Sequence, residues 1–243
     1  MTRRHPLLLL TLLTGLSLNL ACSDSPASDD LDRPAPLLFD FREGTNGWTA
    51  GFADYPPGEE DFYELEAGLA MLPASLDETR QAFRISSSNR SDDVFMFLKR
   101  RLDDLAPNTT YATQFRVEFA SDGGIGCAGI GGAPGEAVAV KAGASALEPA
   151  PRVDETVGLY RMNVDKGDQS QPGQDALVLG HVAVDVPCQG GTFKLKTLTS
   201  EDGAFSARTD AQGQLWLLVG TDSGYEGITT LYYTQIEVQL EPM

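Results

Sequence analysis

The sequence predicts an all-β protein built as a single two-sheet β-sandwich with mostly antiparallel strands. Residues 111–119 alternate strictly, so that every second side chain from Tyr111 to Phe119 faces one way and is apolar or small. This period of two is typical of a strand with one buried and one solvated face. About a dozen such short segments follow one another between Gly- and Asp-rich turns, as in sandwich folds. We expect a helical turn only at Leu98–Leu105, which Pro107 would end.

The individual segments support this class in chain order. A first strand is expected at Phe39–Phe41, and the turn Gly44–Gly47 follows it. The other expected strands are Trp48–Phe52, Phe62–Leu69, Ala82–Ser86, Val94–Lys99, Ala137–Lys141, Val157–Val164, Ala176–Val186, Thr192–Thr199, Phe205–Arg208, Gln214–Gly220 and Thr229–Leu240.

Residues 1–21 predict a secretory signal peptide. Arg3 and Arg4 precede an apolar run, Leu7–Leu20, that is too short and too asymmetrically flanked for a stable membrane span. The small residue Ala21 then stands directly before Cys22.

This arrangement resembles the lipobox of bacterial lipoproteins. In that family the cysteine is diacylated, the leader is cut just before it, and the new amino group is acylated. Asn19 stands where the family prefers leucine, and an ordinary signal peptide is the alternative. The resemblance implies a membrane anchor at Cys22, and Ser23 after it favours the bacterial outer membrane. Residues 22–36, rich in Ser, Asp and Pro, are predicted to be a lipidated flexible tether before a folded domain at 37–243.

Charge and histidine content exclude several functions. The formal net charge of −17 repels nucleic acid, so a nucleic-acid partner is not expected. The two histidines are His5, in the leader, and His181. One remaining imidazole excludes zinc sites that need two or three, and a Ser-His-Asp triad would require His181. His181 lies in an apolar segment and is expected to be a structural sheet residue.

The two remaining cysteines, Cys127 and Cys188, are an even pair in an exported chain. Such a pair predicts one disulfide, with two buried free thiols as the alternative. Cys127 also lies in Gly124–Gly129, which fits G-x-G-x-x-G. The glycines and proline that follow prevent a helix from starting, so we expect a tight loop and not a nucleotide site.

Two short motifs carry a resemblance to known sandwiches. Leu105–Tyr111 fits L-x-P-x-T-x-Y and resembles the entry to a central strand of jelly-roll carbohydrate-binding modules. Phe39–Trp48 fits F-D-F-x-x-G-x-x-G-W and is similar to the start of galactose-binding-like sandwiches. The whole domain also resembles uncharacterised bacterial exported lipoproteins. The resemblance implies a jelly-roll topology.

Aromatic and acidic residues are concentrated in two loops. Trp48, Tyr55 and Tyr63 lie in the first, and Tyr225 and Glu226 lie in the second. Sugar sites use aromatic rings against the apolar faces of sugars and carboxylates or amides for the hydroxyls. These five residues are therefore predicted to bind a ligand, with burial in the core as the alternative.

Calcium is the one cofactor that the acidic composition suggests. The loop Asp165–Asp175 is rich in carboxylates and amides, the ligands that Ca²⁺ prefers, but its spacing is not that of an EF-hand. Jelly-roll modules often hold calcium between their first and last strands. By that analogy the predicted metal ligands are Asp40 and Glu237.

These observations predict a non-catalytic, lipid-anchored protein of the cell envelope that binds a glycan or another surface component. One alternative is a polysaccharide hydrolase that uses paired carboxylates. Another is a purely structural envelope domain. No G-x-S-x-G nucleophile motif is present.

Overall fold

The computed structural model describes residues 1–2, 34–90, 93–203 and 205–243. Residues 34–243 form one compact unit. The predicted anchor at Cys22, the signal peptide and the tether up to Arg33 lie outside the described residues. Within the described part of the chain, no helix is long and apolar enough to cross a membrane.

The described residues form fourteen β-strands and one 3₁₀ helix, Phe41–Glu43. The strands are β1 Leu37–Asp40, β2 Thr49–Ala53, β3 Glu66–Met71, β4 Gln81–Ser88, β5 Val94–Leu102, β6 Thr110–Ser121, β7 Val138–Ser145, β8 Pro151–Asp154, β9 Leu159–Met162, β10 Ala176–His181, β11 Lys194–Thr199, β12 Phe205–Arg208, β13 Leu215–Ser223 and β14 Ile228–Pro242.

Two sheets pack face to face, and this confirms the predicted sandwich. The seven-stranded sheet has the order β11-β6-β14-β4-β3, with β1 also beside β14 and β12 also beside β6. The five-stranded sheet has the order β10-β7-β13-β5-β2, and β8 with β9 forms a separate hairpin. All the strand pairings are antiparallel. The chain crosses repeatedly between the two sheets, but β3 and β4 are consecutive strands of the seven-stranded sheet, and so are β11 and β12.

The core lies between the inner faces of the two sheets. In β6, Phe115, Val117 and Phe119 are fully buried and alternate with partly exposed polar residues, as predicted. Ile236 on β14 pairs with Val117 and also points inward. The first strand does lie beside the last, because Phe39 pairs with Ile236.

Several segments differ from the prediction. The strand expected at Phe62–Leu69 begins only at Glu66, and the strand expected at Ala176–Val186 ends at His181. Residues 157–164, expected as one strand, contribute only β9 of the β8–β9 hairpin. Leu98–Leu105 does not form a helical turn, because β5 extends through Leu102 and pairs along its whole length with β13. Pairing with a neighbouring strand outweighs the weak local preference for a helix there.

The chain between β7 and β10 covers part of the outer face of the five-stranded sheet. Val164 and Ala176 bury an apolar cluster on that face with Phe95, Phe97 and Leu218. The hairpin is fixed to the end of β2, where Asp54 N–H donates to the Tyr160 carbonyl and Tyr160 N–H donates to the Tyr55 carbonyl. Lys141 and Asp222, beneath this cover, are fully removed from water.

The predicted disulfide is confirmed. Cys127 and Cys188 are bonded, with their Cα atoms 5.5 Å apart. The bond joins the loop that follows β6 to the loop between β10 and β11. No helix follows Gly124–Gly129, since the next regular element is β7.

Candidate functional site

Three of the predicted ligand-binding aromatics belong to the core. Trp48 is 1% exposed and packs edge-on against Phe39. Tyr55 and Tyr63 are also buried, with ring centroids 5.6 Å apart. Burial raises the pKa of Tyr55 to about 12, with a further contribution from Glu60. The structure therefore corrects the prediction of a platform at these residues, because their rings have no face open to a ligand.

The two aromatic loops are nevertheless linked through the end of β4. Asn89, just after β4, donates its side-chain amide to the carbonyl oxygens of Ser223 and Tyr225, at 2.8 and 3.0 Å. Its backbone N–H donates to Gly227. The preceding Ser88 N–H donates to the Tyr63 carbonyl. Hydrogen bonds from the end of β4 thus hold the second loop in place.

Tyr225 is the predicted aromatic that remains available. It is half-buried, and its ring lies against the glycine-rich loop. A Cβ atom at Gly129 would stand 2.5 Å from the Tyr225 ring, so only glycine leaves room for it there. Glu226 beside it is exposed, and its backbone N–H donates to Ile130.

Tyr225 lines a pocket of about 180 Å³ next to the disulfide. We call this the Tyr225 pocket; its walls come from the end of β6, the start of β14 and the two disulfide-linked loops. Its lining residues are Ser121, Asp122, Gly123, Gly124, Ala128, Pro134, Val182, Cys188, Gln189, Gly190, Tyr225, Ile228, Thr229 and Thr230.

Thr229 is the most informative residue of this pocket. It is 6% exposed, and its hydroxyl has no hydrogen-bond partner among the described residues. A buried hydroxyl without a partner costs about 1–3 kcal/mol. The residue lines the pocket, but the hydroxyl oxygen itself has almost no exposed surface, so a ligand would reach it only after a local movement of the Thr229 side chain.

Other polar groups of the Tyr225 pocket suit a hydroxylated ligand. Asp122 supplies a carboxylate, and one of its oxygens accepts a hydrogen bond from Gly191 N–H at 2.8 Å. Gln189 supplies an amide, and Thr230 supplies a second hydroxyl, which shares a 2.7 Å hydrogen bond with Ser86. An aromatic ring with a carboxylate, an amide and hydroxyls is the set of groups that recognises a sugar ring.

The predicted calcium ligands lie on one face of the β1–β14 pair. Asp40 is opposite Gln235 and Glu237 is opposite Leu38, so the two acids are diagonal neighbours. Arg42 Nε donates to both oxygens of Asp40, at 3.1 and 2.9 Å, and lowers the pKa of that carboxyl. Arg116 lies 3.9 Å from Glu237. An ion bound between Asp40 and Glu237 would have to compete with both arginines.

The loop acids Asp165 and Asp175 are engaged by the backbone of their own loop. Asp165 accepts hydrogen bonds from Gly167 and Gln174 N–H groups, which lower its pKa. Asp175 accepts from Asp165 N–H at 2.8 Å. These carboxylates shape the loop, as acidic residues in turns commonly do.

A second, unpredicted group of ionisable residues lies under the cover of the five-stranded sheet. We call it the charge cluster; it contains three acids and three bases, Asp54, Asp93, Asp222, Lys141, Lys166 and Arg161. The carboxylate oxygens of the three acids lie within 4.8 Å of one another. The cluster borders an open cavity of about 570 Å³.

The lysines hold the inner end of the charge cluster. Lys166 Nζ lies 2.7 Å from Asp222 Oδ2 and 3.1 Å from Asp54 Oδ2. Burial opposes its charge, but the two carboxylates outweigh burial and raise the pKa of Lys166. Lys141 Nζ lies 3.0 Å from the same Asp222 oxygen, and burial lowers the pKa of Lys141. The ammonium groups occupy the space that a metal ion would need between these acids.

Arg161 closes the outer end of the cluster. Its guanidinium contacts Asp54 at 2.8 Å and Asp93 at 2.5 Å. Burial raises the pKa of Asp93 to about 6, against the opposing effect of Arg161. Asp54 is 1% exposed and held from two sides, so this carboxylate pair is closed to a substrate in this arrangement.

His181 and Trp216 lie outside the Tyr225 pocket and the charge cluster. His181 is half-buried, and its Nδ1 accepts a hydrogen bond from Ala183 N–H at 3.2 Å. Burial lowers the pKa of His181, consistent with the predicted structural role. Trp216, which sequence reasoning did not single out, is half-buried on the outer face of β13. Lys99 and Arg101 lie over its ring, at 5.5 and 6.0 Å from the centroid.

No family model matches the sequence, and no curated protein matches it. Among solved structures, one described for promiscuous specificity in β-sandwich carbohydrate-binding modules is similar over 84% of this chain, with 13% identity and a TM-score of 0.37. This chain spans 60% of that structure's length. A carbohydrate-binding module in complex with β-1,4-galactotriose has 8% identity and a TM-score of 0.37, over 84% of this chain and 94% of that one. A mannan-recognising module has 9% sequence identity and a TM-score of 0.35, and the similarity covers 85% of this chain and 97% of that one.

Proposed function

We propose that this protein is a non-catalytic glycan-binding protein of the bacterial cell envelope, and that the Tyr225 pocket holds one sugar residue. The observation that carries the proposal is Thr229, a residue that lines a pocket beside an aromatic ring and whose buried hydroxyl lacks a partner among the described residues. Asp122 and Gln189 can accept from and donate to the sugar hydroxyls, while Tyr225 contacts the apolar face of the ring.

The membrane anchor belongs to the same proposal. Cys22 directly after an apolar leader supports lipidation, and two or more acyl chains anchor a protein stably. Ser23 supports transfer to the outer membrane. The tether would then hold the sandwich away from the bilayer, where its pocket can reach surface polysaccharide.

A glycan array with the wild-type protein and three variants tests the binding site. Tyr225→Ala should abolish retention on the glycans that the wild type retains. Tyr232→Ala removes a half-buried aromatic on the outer face of β14 and serves as the matched control, with retention unchanged. If Trp216→Ala loses glycan retention while Tyr225→Ala keeps it, the glycan binds on the five-stranded sheet. That result would contradict the proposal.

The same array distinguishes the alternatives. Running it with and without calcium tests the predicted ligands Asp40 and Glu237, since a calcium-dependent signal should be weakened by Asp40→Asn. The hydrolase alternative would require Asp54 and Asp93 to be released from Arg161, which pairs with both carboxylates. Release of reducing sugar that is abolished by Asp93→Asn would favour it. A stable protein that retains no glycan would favour the structural alternative.

A further inference from the structure

Glycan binding at the Tyr225 pocket does not account for the charge cluster. Asp222 and Lys141 are fully buried, and Lys166 and Asp54 are nearly so. Burying several charges carries a large desolvation penalty that ion pairing repays only in part. One Asp222 oxygen, Oδ1, also has no hydrogen-bond partner among the described residues. The arrangement is therefore a costly one for stability alone.

We propose that Lys166 and Asp222 form an intramolecular amide bond, with Asp54 as the group that carries the protons. Lys166 Nζ is 2.7 Å from the Asp222 carboxylate and 3.1 Å from Asp54. A nucleophile held within about 3–3.5 Å of its target in a fixed geometry gains a large effective concentration.

The reaction is a condensation and balances without another reactant. The Lys166 ammonium gives one proton to Asp54, and the neutral amine attacks Cγ of Asp222. The N–C bond forms as one carbon–oxygen bond of Asp222 breaks. The departing oxygen takes two protons, both originating on Nζ and carried by Asp54, and leaves as water. Asp54 ends as the carboxylate it was at the start.

The raised pKa of Lys166 opposes the first proton transfer, and the surroundings favour the steps after it. Lys141 Nζ lies 3.0 Å from Asp222 Oδ2 and can stabilise negative charge that develops on the carboxyl group. The Phe95 ring, whose centroid lies 5.0 Å from Lys166 Nζ, helps to exclude water that would hydrolyse the amide. The water formed has an exit, because Asp54 and Lys166 both line the open cavity.

The bond would join the segment after β9 to β13, at the centre of the five-stranded sheet. The cover over the outer face of that sheet would then be fixed covalently. Like a disulfide, such a cross-link stabilises a fold mainly by restricting the unfolded chain. Unlike a disulfide, it is not broken by reductant.

Peptide mapping of the purified, folded protein tests the bond directly. Trypsin cleaves after Lys and Arg, so an unmodified Lys166 yields the free peptide 162–166. With the bond, trypsin cannot cleave at Lys166, and after reduction 162–194 and 209–243 appear as one species, lighter than their sum by one water. The pair Lys99–Glu148, at the same 2.7 Å but partly exposed, is the control within the digest and should remain unlinked.

The wild-type digest decides the proposal without any variant. Peptide 162–166 in full yield, with 209–243 unlinked, would overturn it. Asp54→Asn, assayed in the folded soluble fraction, should yield mostly unlinked peptides. A variant that cross-links as completely as the wild type would exclude Asp54 as the proton carrier.

Discussion

The Tyr225 ring lies directly over Gly129, whose Cα carries no side chain that could displace it. A Cβ atom at this position would stand 2.5 Å from the ring and 2.4 Å from the Gly132 carbonyl oxygen. Gly129→Ala should therefore lower stability by about 1–3 kcal/mol, the usual cost of overpacking. It should also weaken glycan retention, since the ring must move. Thermal unfolding and the glycan array measure both effects, and a variant with wild-type values in both would contradict this contact.

The disulfide is expected to support both the fold and the Tyr225 pocket. Cys127 and Cys188 are separated by 61 positions, and closing such a loop contributes about 4 kcal/mol in the chain-entropy account. Replacing both cysteines by alanine should lower the unfolding temperature by several degrees. Wild-type protein treated with reductant should unfold at the same temperature as the double variant. An unchanged unfolding temperature in the double variant would mean that the bond does not constrain the unfolded chain.

Asp93 should make stability depend on pH in an unusual direction. Burial raises the pKa of Asp93 to about 6, above its ordinary value of 3.8. Between these two values the folded state binds more protons at this carboxyl than the unfolded state does, so ionisation opposes folding. The stabilising contribution of Asp93 to the free energy of unfolding is greatest below pH about 4 and is lost as the pH rises to about 6. The pKa of Asp93 also depends on its charged neighbours Asp54, Asp222, Arg161 and Lys166. Substitution of any of these neighbours should change it.

Asp93→Asn isolates this contribution. The stability of the variant relative to wild type should increase between pH 4 and 6 and stay level above pH 7. Denaturant unfolding at a series of pH values measures it. Asp77→Asn is the matched control, because hydrogen bonds from Thr79 lower the pKa of that exposed carboxyl. A difference between Asp93→Asn and wild type that does not change with pH would contradict the raised pKa.

Cys22 is predicted to carry the membrane anchor. Cys22→Ser should transfer the protein from the membrane fraction to the soluble exported fraction. Mass spectrometry of the mature amino terminus should find an acylated cysteine as its first residue. Ser23→Asp tests the sorting prediction separately and should retain the protein at the inner membrane. An unmodified Cys22 at the mature terminus would exclude lipidation.

The fold was predictable because its signals are local. The alternation in β6 and β14 follows from one buried face per strand, and glycine-rich turns mark where strands end. The β8–β9 hairpin and the full length of β5 were not predicted. Their limits are determined by pairing with distant strands, which a short window of sequence does not contain.

The candidate site was only partly predictable. Tyr225 is accompanied by acidic and glycine neighbours that indicated a loop site. Trp48 has similar neighbours but is buried, since burial depends on what packs against it. Asp122, Gln189 and Thr229 are brought together by the disulfide and by the pairing of β6 with β14, and both are long-range contacts. For the charge cluster one signal existed, because Lys141 interrupts the apolar stretch Ala137–Ala142.

The most direct test of the glycan-binding account compares two threonines. Thr229 and Thr221 are both buried, with hydroxyls that have no partner among the described residues, but only Thr229 lines the Tyr225 pocket. Replacing either by valine should leave the unfolding temperature unchanged or higher, because each change removes an unpaired buried hydroxyl. We expect Thr229→Val to weaken binding of the strongest array glycan about five- to tenfold, the loss of one hydrogen bond, and Thr221→Val to leave it unchanged. Equal affinities in the wild type and both variants would contradict a sugar site at Thr229.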